Sequence, residues 1–513
     1  MSIEIIKENF QVEEMKGSGE VQALVETEVY LNTNKPDIEN IIWVDGRIDI
    51  VNTKVIQDKL LIDGIIKFSL AYKSIDEKEY INTLETSKDF KEEIYIEGIN
   101  ENMIPNVDGS IDYIEQDIDN TKIELRALID LFGEVREERT IEIIQDVEDE
   151  ENLQTLEENI KYNEIYGRET TYANIEDTIK VDNLKPAIDK IIRFSVEVKE
   201  TESTVVDGRI IISGEAMVSI IYLGDEKINS LKEAIPFNHF IEIPAAYKDS
   251  QKEVKLEVAE AIYEVQEDDM EDLKIIDLDI RIKVSGKVFD EVSRNLIIDA
   301  YSTKEGLDLK TEEINIKEHI KSLDHEESLA FDLDLDAIEV LDIQERNNII
   351  DKKYLDQGIN IDGVVTIDVY YIDRTSGEIK HYNNHFSYKS SVPYDEESRN
   401  LNININHKLG DMKYILKKDT MSIENTINYN ILLSKDKKIP GIIDIEETGE
   451  EIDTKDAASI TIYIVQEEDI LWDIAKRYNT TIEEILQSNN LDEDYEIEVG
   501  DKIIIEKKVD LEF

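Results

Sequence analysis

The sequence predicts a mainly β protein, with three tandem antiparallel β-sandwich or barrel-like repeats followed by a small β-α-α-β module. Apolar residues occupy every second position in segments such as 123–131 and 276–284, a pattern typical of strands with one buried and one solvated face. Similar sequence also recurs at a spacing close to 150 residues. Near residue 470 the apolar spacing becomes helical, which predicts the terminal module.

Strict alternation over this length favours antiparallel sheets, because the strands of parallel sheets are buried on both faces and carry continuous apolar runs. The segment 401–406 shows the same alternation. We expect helix only in short connectors such as residues 150–162 and in the terminal module.

The repeat is clearest between its first two copies, in which four anchors are 150 residues apart. These anchors are Lys35-Pro36 and Lys185-Pro186, Ile41-Ile42 and Ile191-Ile192, Gly64 and Gly214, and Tyr72 and Tyr222. A weaker third copy aligns residues 361–371 with 212–222. The expected boundaries give repeats at 1–160, 161–308 and 309–455 and a terminal module at 456–513.

One glycine of each copy interrupts a strand pattern. Gly64, Gly214 and Gly363 lie at corresponding positions in the three repeats. A glycine inside a strand predicts either a β-bulge or a close approach of another group to the backbone.

The terminal module begins with alternating residues at 462–465, which predict a strand. Asp469 precedes the apolar pair Leu471 and Trp472, so its carboxylate is predicted to cap the first helix. The inner face of that helix is predicted from Leu471, Ile474, Ala475 and Tyr478.

A second short helix is predicted after Thr480 or Thr481, either of which can serve as its cap. Its inner face comprises Ile482, Ile485 and Leu486, the pair Asn489-Asn490 offers a left-handed stop, and Ile503 and Ile505 supply the returning strand.

This order of elements resembles a LysM module. Glycan-binding LysM modules usually carry Gly-Asp-Thr-Leu at the turn into the first helix, where this chain has Glu468-Asp469-Ile470-Leu471. The resemblance implies that binding residues lie in the two loops that line the LysM groove. The matching residues are Glu468, Asp469, Ile470, Asn489, Asn490 and Asp494.

The charge of the terminal module favours a protein partner over a glycan. Residues 460–508 carry a net charge of −8, and the altered turn adds a charge and a branched apolar side chain. Trp472 could stack on a sugar, but its helical position favours burial. Peptidoglycan therefore remains an alternative ligand, but a protein partner is favoured over it.

The composition excludes several classes of function. The chain has 119 acidic and 57 basic residues, a net charge of −62, which repels nucleic acid and anionic membrane surfaces. It has no cysteine, so disulfides, thiolate metal sites and a cysteine nucleophile are excluded. Residues 1–10 do not resemble a signal peptide, and no apolar run is long enough to span a membrane. We therefore expect a cytoplasmic protein without direct membrane insertion.

The sequence predicts no catalytic residue, no metal site and no cofactor. His381 and His385 have the spacing of a zinc-binding helix, but the residues between them favour a turn. The run Asp332 to Asp336 imitates the start of a calcium loop, yet Ala337 replaces the glycine that such a loop requires.

The whole chain, with its acidic β repeats and terminal LysM-like module, resembles the SipL-type family of clostridial spore-coat morphogenetic proteins. The resemblance implies a non-enzymatic scaffold in the mother-cell cytoplasm that is recruited to the forespore surface. It also implies that the LysM module holds a coat morphogenetic ATPase of the SpoIVA type.

Two alternatives remain open from the sequence. The first is a wall protein that binds peptidoglycan or cortex and uses the β repeats as a spacer, and the second is a LysM-targeted hydrolase. Exposed strand edges in tandem β repeats also make self-association of the repeats a further expectation.

Overall fold

The computed structural model describes residues 5–30, 38–75, 81–119, 122–147, 152–355, 358–394, 401–452, 459–492 and 495–506. The anchor Lys35-Pro36 and the candidate site residue Asp494 lie outside these residues. Within them, three similar units of antiparallel strands precede a β-α-α-β module, which confirms the predicted fold class.

The strands follow one order in all three units. Unit 1 contains β1 (Ile5–Tyr30), β2 (Ile38–Ile56), β3 (Lys59–Ser74), β4 (Ile81–Tyr95), β5 (Ile104–Asp119) and β6 (Lys122–Val147). Unit 2 contains β7 (Leu153–Lys180), β8 (Lys190–Val206), β9 (Arg209–Gly224), β10 (Lys227–Glu242), β11 (Gln251–Glu267) and β12 (Leu273–Ser302). Unit 3 contains β13 (Glu305–Leu333), β14 (Ala337–Leu355), β15 (Gly358–Asp373), β16 (Ile379–Pro393), β17 (Asn402–Leu409), β18 (Lys413–Leu416) and β19 (Met421–Glu451).

Each unit is a sandwich of an inner and an outer sheet. The inner sheets have the strand orders β2-β3-β4, β8-β9-β10 and β14-β15-β16. The outer sheets pair the first, last and fifth strands, as in β1-β6-β5, and β18 extends the outer sheet of unit 3. The predicted alternation is confirmed, because every second residue from Ile123 to Leu131 is fully buried between the two sheets of unit 1.

The helix expected at 150–162 was wrong where the structure describes it. Residues 153–162 belong to β7 and pair with the end of β12, from Tyr162 opposite Val292 to Leu153 opposite Ser302. Pairing with residues 130 to 149 positions away satisfies the backbone of this segment, and local propensity carries no signal of such a distant partner.

The strand order also bears on the unit boundaries. The expected boundary at 160 falls inside β7, and the one at 308 falls inside β13. We propose that the chain divides between β6 and β7, between β12 and β13, and after β19.

The three strand glycines lie where both a bulge and a close approach occur. Opposite Gly64 the register of β2 shifts between Ile50 and Asn52, and the same shift faces Gly214 and Gly363. On the other side an aromatic ring covers each glycine, namely Phe90, Phe237 and Tyr388 respectively. A Cβ atom at any of the three positions would overlap that ring, so the side-chain space of the glycine is filled by its neighbour.

The three inner sheets close into a ring. The third inner strand of each unit contacts the first inner strand of the next, so that β4 contacts β8, β10 contacts β14 and β16 contacts β2. Apolar residues of all three units meet there in one cluster, with Trp43, Ile221 and Tyr370 among its members. The units are therefore related by an approximate threefold axis.

A buried ion pair joins units 2 and 3 at this axis. Arg193 Nη1 donates to Asp342 Oδ2 at 2.7 Å, and both side chains are 4% exposed. The guanidinium also lies over the ring of Tyr370, 4.2 Å from its centroid, and Trp43 meets the same ring edge-on. Trp43, Arg193 and Asp342 occupy equivalent bulged positions in the three units, opposite Ala71, Ile221 and Tyr370.

The first and last strands of each unit extend beyond the sandwich as two-stranded ribbons, which we call stems. Stem 1 comprises 5–15 and 136–147, stem 2 comprises 153–165 and 289–302, and stem 3 comprises 305–319 and 434–451. The stems pack against one another through two apolar clusters. One of these clusters contains the equivalent residues Ile144, Ile297 and Ile442. Their packing continues the threefold arrangement away from the inner sheets.

Candidate functional site

The terminal module consists of β20 (Ile460–Ile464), α1 (Leu471–Tyr478), α2 (Ile482–Asn489) and β21 (Lys502–Glu506). Its core contains the predicted residues Ile474, Ile485 and Ile503, with Tyr463 and Leu471 packed at the edge. The predicted cap Thr481 is confirmed, because its hydroxyl accepts from the Glu484 backbone in a capping box. Asn490 ends α2 in the left-handed conformation, as predicted.

Asp469 does not cap α1, so that prediction was wrong. The N-cap residue is Ile470, which makes no side-chain cap bond, and the Asp469 carboxylate instead accepts from the Gln466 backbone N–H and the Tyr463 hydroxyl, both at 2.7 Å. The hydrogen bond from Tyr463, with that from Gln466, lowers the pKa of Asp469. Asp469 therefore holds the turn between β20 and α1 in place.

Asn489 has a comparable role in the second loop. Its amide nitrogen donates to the carbonyls of Ile485 and Ile504, and its oxygen accepts from the Ile504 backbone N–H, each at 2.7 Å. These bonds tie the end of α2 to β21. The neighbouring Asn490 is exposed, and its side chain faces solvent rather than the core.

Two residues of the first turn project outward. Glu468 is exposed and adopts a positive φ of 70°, a left-handed conformation that glycine adopts at little steric cost. Ile470 leaves 48% of its surface exposed, although it is a large apolar residue. The turn therefore presents one acidic and one apolar side chain, on a backbone that Asp469 fixes.

We expect the substitution Glu468→Gly to stabilise the module by about 0.5 to 1 kcal/mol, because glycine relieves the strain of the left-handed backbone. Hydrogen exchange of the α1 amides measures this change in the full-length protein. The matched control is Glu467→Gly, one residue earlier, where φ is not positive and glycine should destabilise the module. Slower exchange for Glu467→Gly, or faster exchange for Glu468→Gly, would contradict the assigned strain.

The terminal module packs against unit 2, because its first helix docks on stem 2. Trp472 Nε1 donates to Asp299 Oδ2 at 2.8 Å, and Lys476 Nζ contacts both oxygens of the same carboxylate at 2.6 and 2.7 Å. Tyr301 packs edge-on against the Trp472 ring and donates its hydroxyl to the Thr480 carbonyl at 2.7 Å.

Trp472 is buried, as the sequence predicted, but part of its environment comes from unit 2. The ring packs between the module core and Tyr301, with Leu156 of β7 in the same cluster. Sequence reasoning missed Asp299 and Tyr301, which lie more than 170 residues from their partners in the module. Docking covers α1 and the start of the α1–α2 connection, and it leaves Glu468, Ile470 and Asn490 exposed.

The described residues contain no group of three or more side chains placed to hold a metal ion. His381 and His385 lie on one face of β16 rather than in the predicted turn, and each bonds to its neighbouring strand β15, at Asp368 and Thr366 respectively. In the part of the chain that the structure describes, neither helix is long or apolar enough to cross a membrane.

Comparison with known families identifies domains in units 1 and 2 and in the terminal module. The family described as "SipL, SPOCS domain" matches residues 37–119 and 187–266, which correspond to β2–β5 of unit 1 and β8–β11 of unit 2. The LysM domain family matches residues 463–506. No curated protein and no solved structure gives a significant match. Neither matched domain is a catalytic type, and their combination matches that of a SipL-type, sporulation-associated protein with a C-terminal LysM module.

Proposed function

We propose that this protein is a non-enzymatic scaffold of spore-coat assembly that holds a coat morphogenetic ATPase of the SpoIVA type through the rim of its LysM groove. The rim consists of Glu468, Ile470 and Asn490, while Asp469 and Asn489 position it. The observation that carries the proposal is the exposed Ile470 on a rigid turn at the position where glycan-binding LysM modules usually have threonine.

The chemistry of the rim fits a protein surface better than a sugar. An exposed isoleucine beside an acidic side chain provides an apolar anchor next to a charge, the combination found in protein interfaces. A partner that fits this rim presents an apolar recess flanked by lysine or arginine. Peptidoglycan carries anionic peptides, and the acidic module repels them.

The body of the protein supports a scaffolding role. Three units close into a ring, and the stems extend from the ring to a docked module, so the rim is held at a fixed place on a large acidic body. The proposed site of action is the mother-cell cytoplasm at the forespore surface.

The substitution Ile470→Arg tests the proposed rim. We expect binding of the purified coat ATPase to the full-length protein to weaken at least tenfold, roughly 1.4 kcal/mol, because the arginine removes the anchor and repels a basic partner. The fold should be unchanged, since Ile470 is exposed. Calorimetric titration of wild-type and variant protein measures the effect.

The matched control is Ile462→Arg. Ile462 is 64% exposed and lies on the outer face of β20 with Ile460 and Ile464, away from the first turn. This variant should bind the ATPase as the wild type does. If Ile462→Arg weakens binding and Ile470→Arg does not, the partner binds the outer sheet face and the proposed rim is wrong.

Peptidoglycan is a second candidate ligand, because the LysM domain match by itself supports it. A glycan would bind along the same groove and would contact the backbone of the 468–470 turn. Sedimentation of the full-length protein with purified sacculi tests this candidate. The isolated module is a poor probe, since its removal from stem 2 exposes Trp472, a ring that could stack on a sugar although it is covered in the intact protein.

A further inference from the structure

Stem 1 repeats one part of the site at which the LysM module docks on stem 2, namely the pairing of an apolar residue with an aspartate. The sequence has Glu148 where stem 2 has Tyr301. In stem 2, Leu156 lies opposite Asp299 across the ribbon, next to a bulge at residue 298. In stem 1, Ile6 lies opposite Asp146 next to a bulge at residue 145. The two aspartates even share a local bond, since Asp146 accepts from its following backbone N–H at 2.8 Å and Asp299 does so at 2.9 Å.

The stem 1 copy is open. Ile6 is 46% exposed, and Asp146 is exposed at the surface. Both residues line a groove of about 710 Å³ between stems 1 and 2, where the opposite wall includes Leu296 and Arg294 of β12. On stem 2 the corresponding pair is covered by the helix α1 of the module.

The equivalent position on stem 3 lacks the apolar residue and already has a cation beside its aspartate. In stem 3 the partner of Asp444 across the ribbon is Lys310, where the other stems have leucine or isoleucine. Lys310 Nζ contacts the Asp444 carboxylate at 3.0 Å, so this aspartate already has a cation beside it. Stems 1 and 2 thus share an apolar residue opposite an aspartate that has no cation beside it among the described residues of its own stem, and stem 3 does not.

We propose that the Ile6–Asp146 site on stem 1 is a second docking site for the LysM module, and that its occupant is the module of a second copy of this chain. The face that fits it is the one used on stem 2, with Trp472 against the apolar residue and Lys476 on the carboxylate. The chain's own module occupies stem 2, so a module on stem 1 comes from another molecule.

Such docking links the module of one chain to stem 1 of the next. This contact is heterologous, and repetition of it builds an open chain of molecules rather than a closed dimer. The tethered module has the advantage of a millimolar effective concentration at its own stem 2. The wild-type protein is therefore monomeric at micromolar concentration, and association requires release of the module from stem 2.

Asp299→Lys releases the module by placing a lysine opposite Lys476. Release is measured by the emission of Trp472, because the second tryptophan, Trp43, is buried at the threefold axis. We expect a red shift on release at low concentration, which reverses as the concentration rises and stem 1 of another molecule covers Trp472. Sedimentation velocity should show concentration-dependent self-association that doubles the average mass or more. Tyr301→Ala is a second releasing variant, which leaves the bulge at residue 298 unchanged.

The added substitution Asp146→Lys should return the released variant to a monomer. The control is Asp444→Lys in the same background, which changes the equivalent residue of stem 3 and should leave association intact. Carbodiimide coupling, which joins contacting carboxylates and amines, should link Lys476 of one chain to Asp146 of another. In the wild type it should link Lys476 to Asp299.

Three outcomes would overturn the proposal. The first is a monomer at all concentrations when the emission of Trp472 shows that the module has been released. The second is association that persists after Asp146→Lys. The third is a Lys476–Asp146 link within one chain, which would make stem 1 an alternative seat for the chain's own module rather than for a second copy.

Discussion

Replacing Asp342 with alanine is expected to destabilise the protein by about 3 to 5 kcal/mol, because the substitution removes the closer carboxylate of the buried Arg193 and leaves only that of Asp45, 3.5 Å away. Arg193 joins units 2 and 3 at the threefold axis and lies over Tyr370, so it cannot reach water without opening the ring. Denaturant unfolding of the full-length protein measures the loss. Since the three inner sheets share one cluster, we expect the transitions of all three units to move together.

Two comparisons identify the buried charge as the cause. The double substitution Arg193→Leu and Asp342→Leu should cost less than Asp342→Ala alone, because no fully buried charge is left unpaired. Asp45 and Lys232, which also contact the pair, are partly exposed and can be solvated. Asp362→Ala breaks the exposed pair with Lys389 in the same unit and should cost less than about 1 kcal/mol. Equal losses for Asp342→Ala and Asp362→Ala would show that the ring does not enclose the Arg193 charge.

Gly64→Ala is expected to cost about 3 kcal/mol, because its methyl group would occupy the space of the Phe90 ring. The backbone conformation at Gly64 is not left-handed, so the loss comes from crowding alone. Thermal unfolding of the variant measures it.

A double-substitution cycle separates crowding from other causes. Phe90→Leu should recover part of the Gly64→Ala loss, since the shorter side chain vacates the space above residue 64. Recovery should be smaller for the equivalent pair Gly214 and Phe237, where the Lys199 carbonyl also lies 2.8 Å from the added atom. Strictly additive losses at residues 64 and 90 would contradict the account of the three glycines.

The strands of the sandwiches were predictable because each depends on a local pattern. One buried face and one wet face impose a period of two, and that period is visible in segments such as 123–131. The repeated glycines were also informative, because a glycine in a strand has few physical causes.

The closure of the units into a ring left no comparable signal. The contacts at the axis join residues about 150 positions apart, and the equivalent residues Trp43, Arg193 and Asp342 differ in size and charge. A search for repeated residues passes over such positions. The stems were missed for a related reason, since their strands continue without a break from the sandwich.

The module shows the same division between local and distant contacts. Its helices, the Thr481 cap and the Asn490 stop follow from local sequence. The roles of Asp469 and Asn489 depend on the groups to which their side chains bond, and the docking of Trp472 depends on Asp299 and Tyr301 of unit 2. No pattern within the module indicates these partners.

We propose above that the LysM module of this protein holds a coat ATPase rather than glycan. The most direct test is retention of the full-length wild-type protein on immobilised coat ATPase of the SpoIVA type, in parallel with its sedimentation on purified sacculi. We expect retention on the ATPase, with loss of retention for Ile470→Arg, and no sedimentation on sacculi. Sedimentation on sacculi without retention on the ATPase would contradict the proposal and would identify the protein as a wall-binding protein.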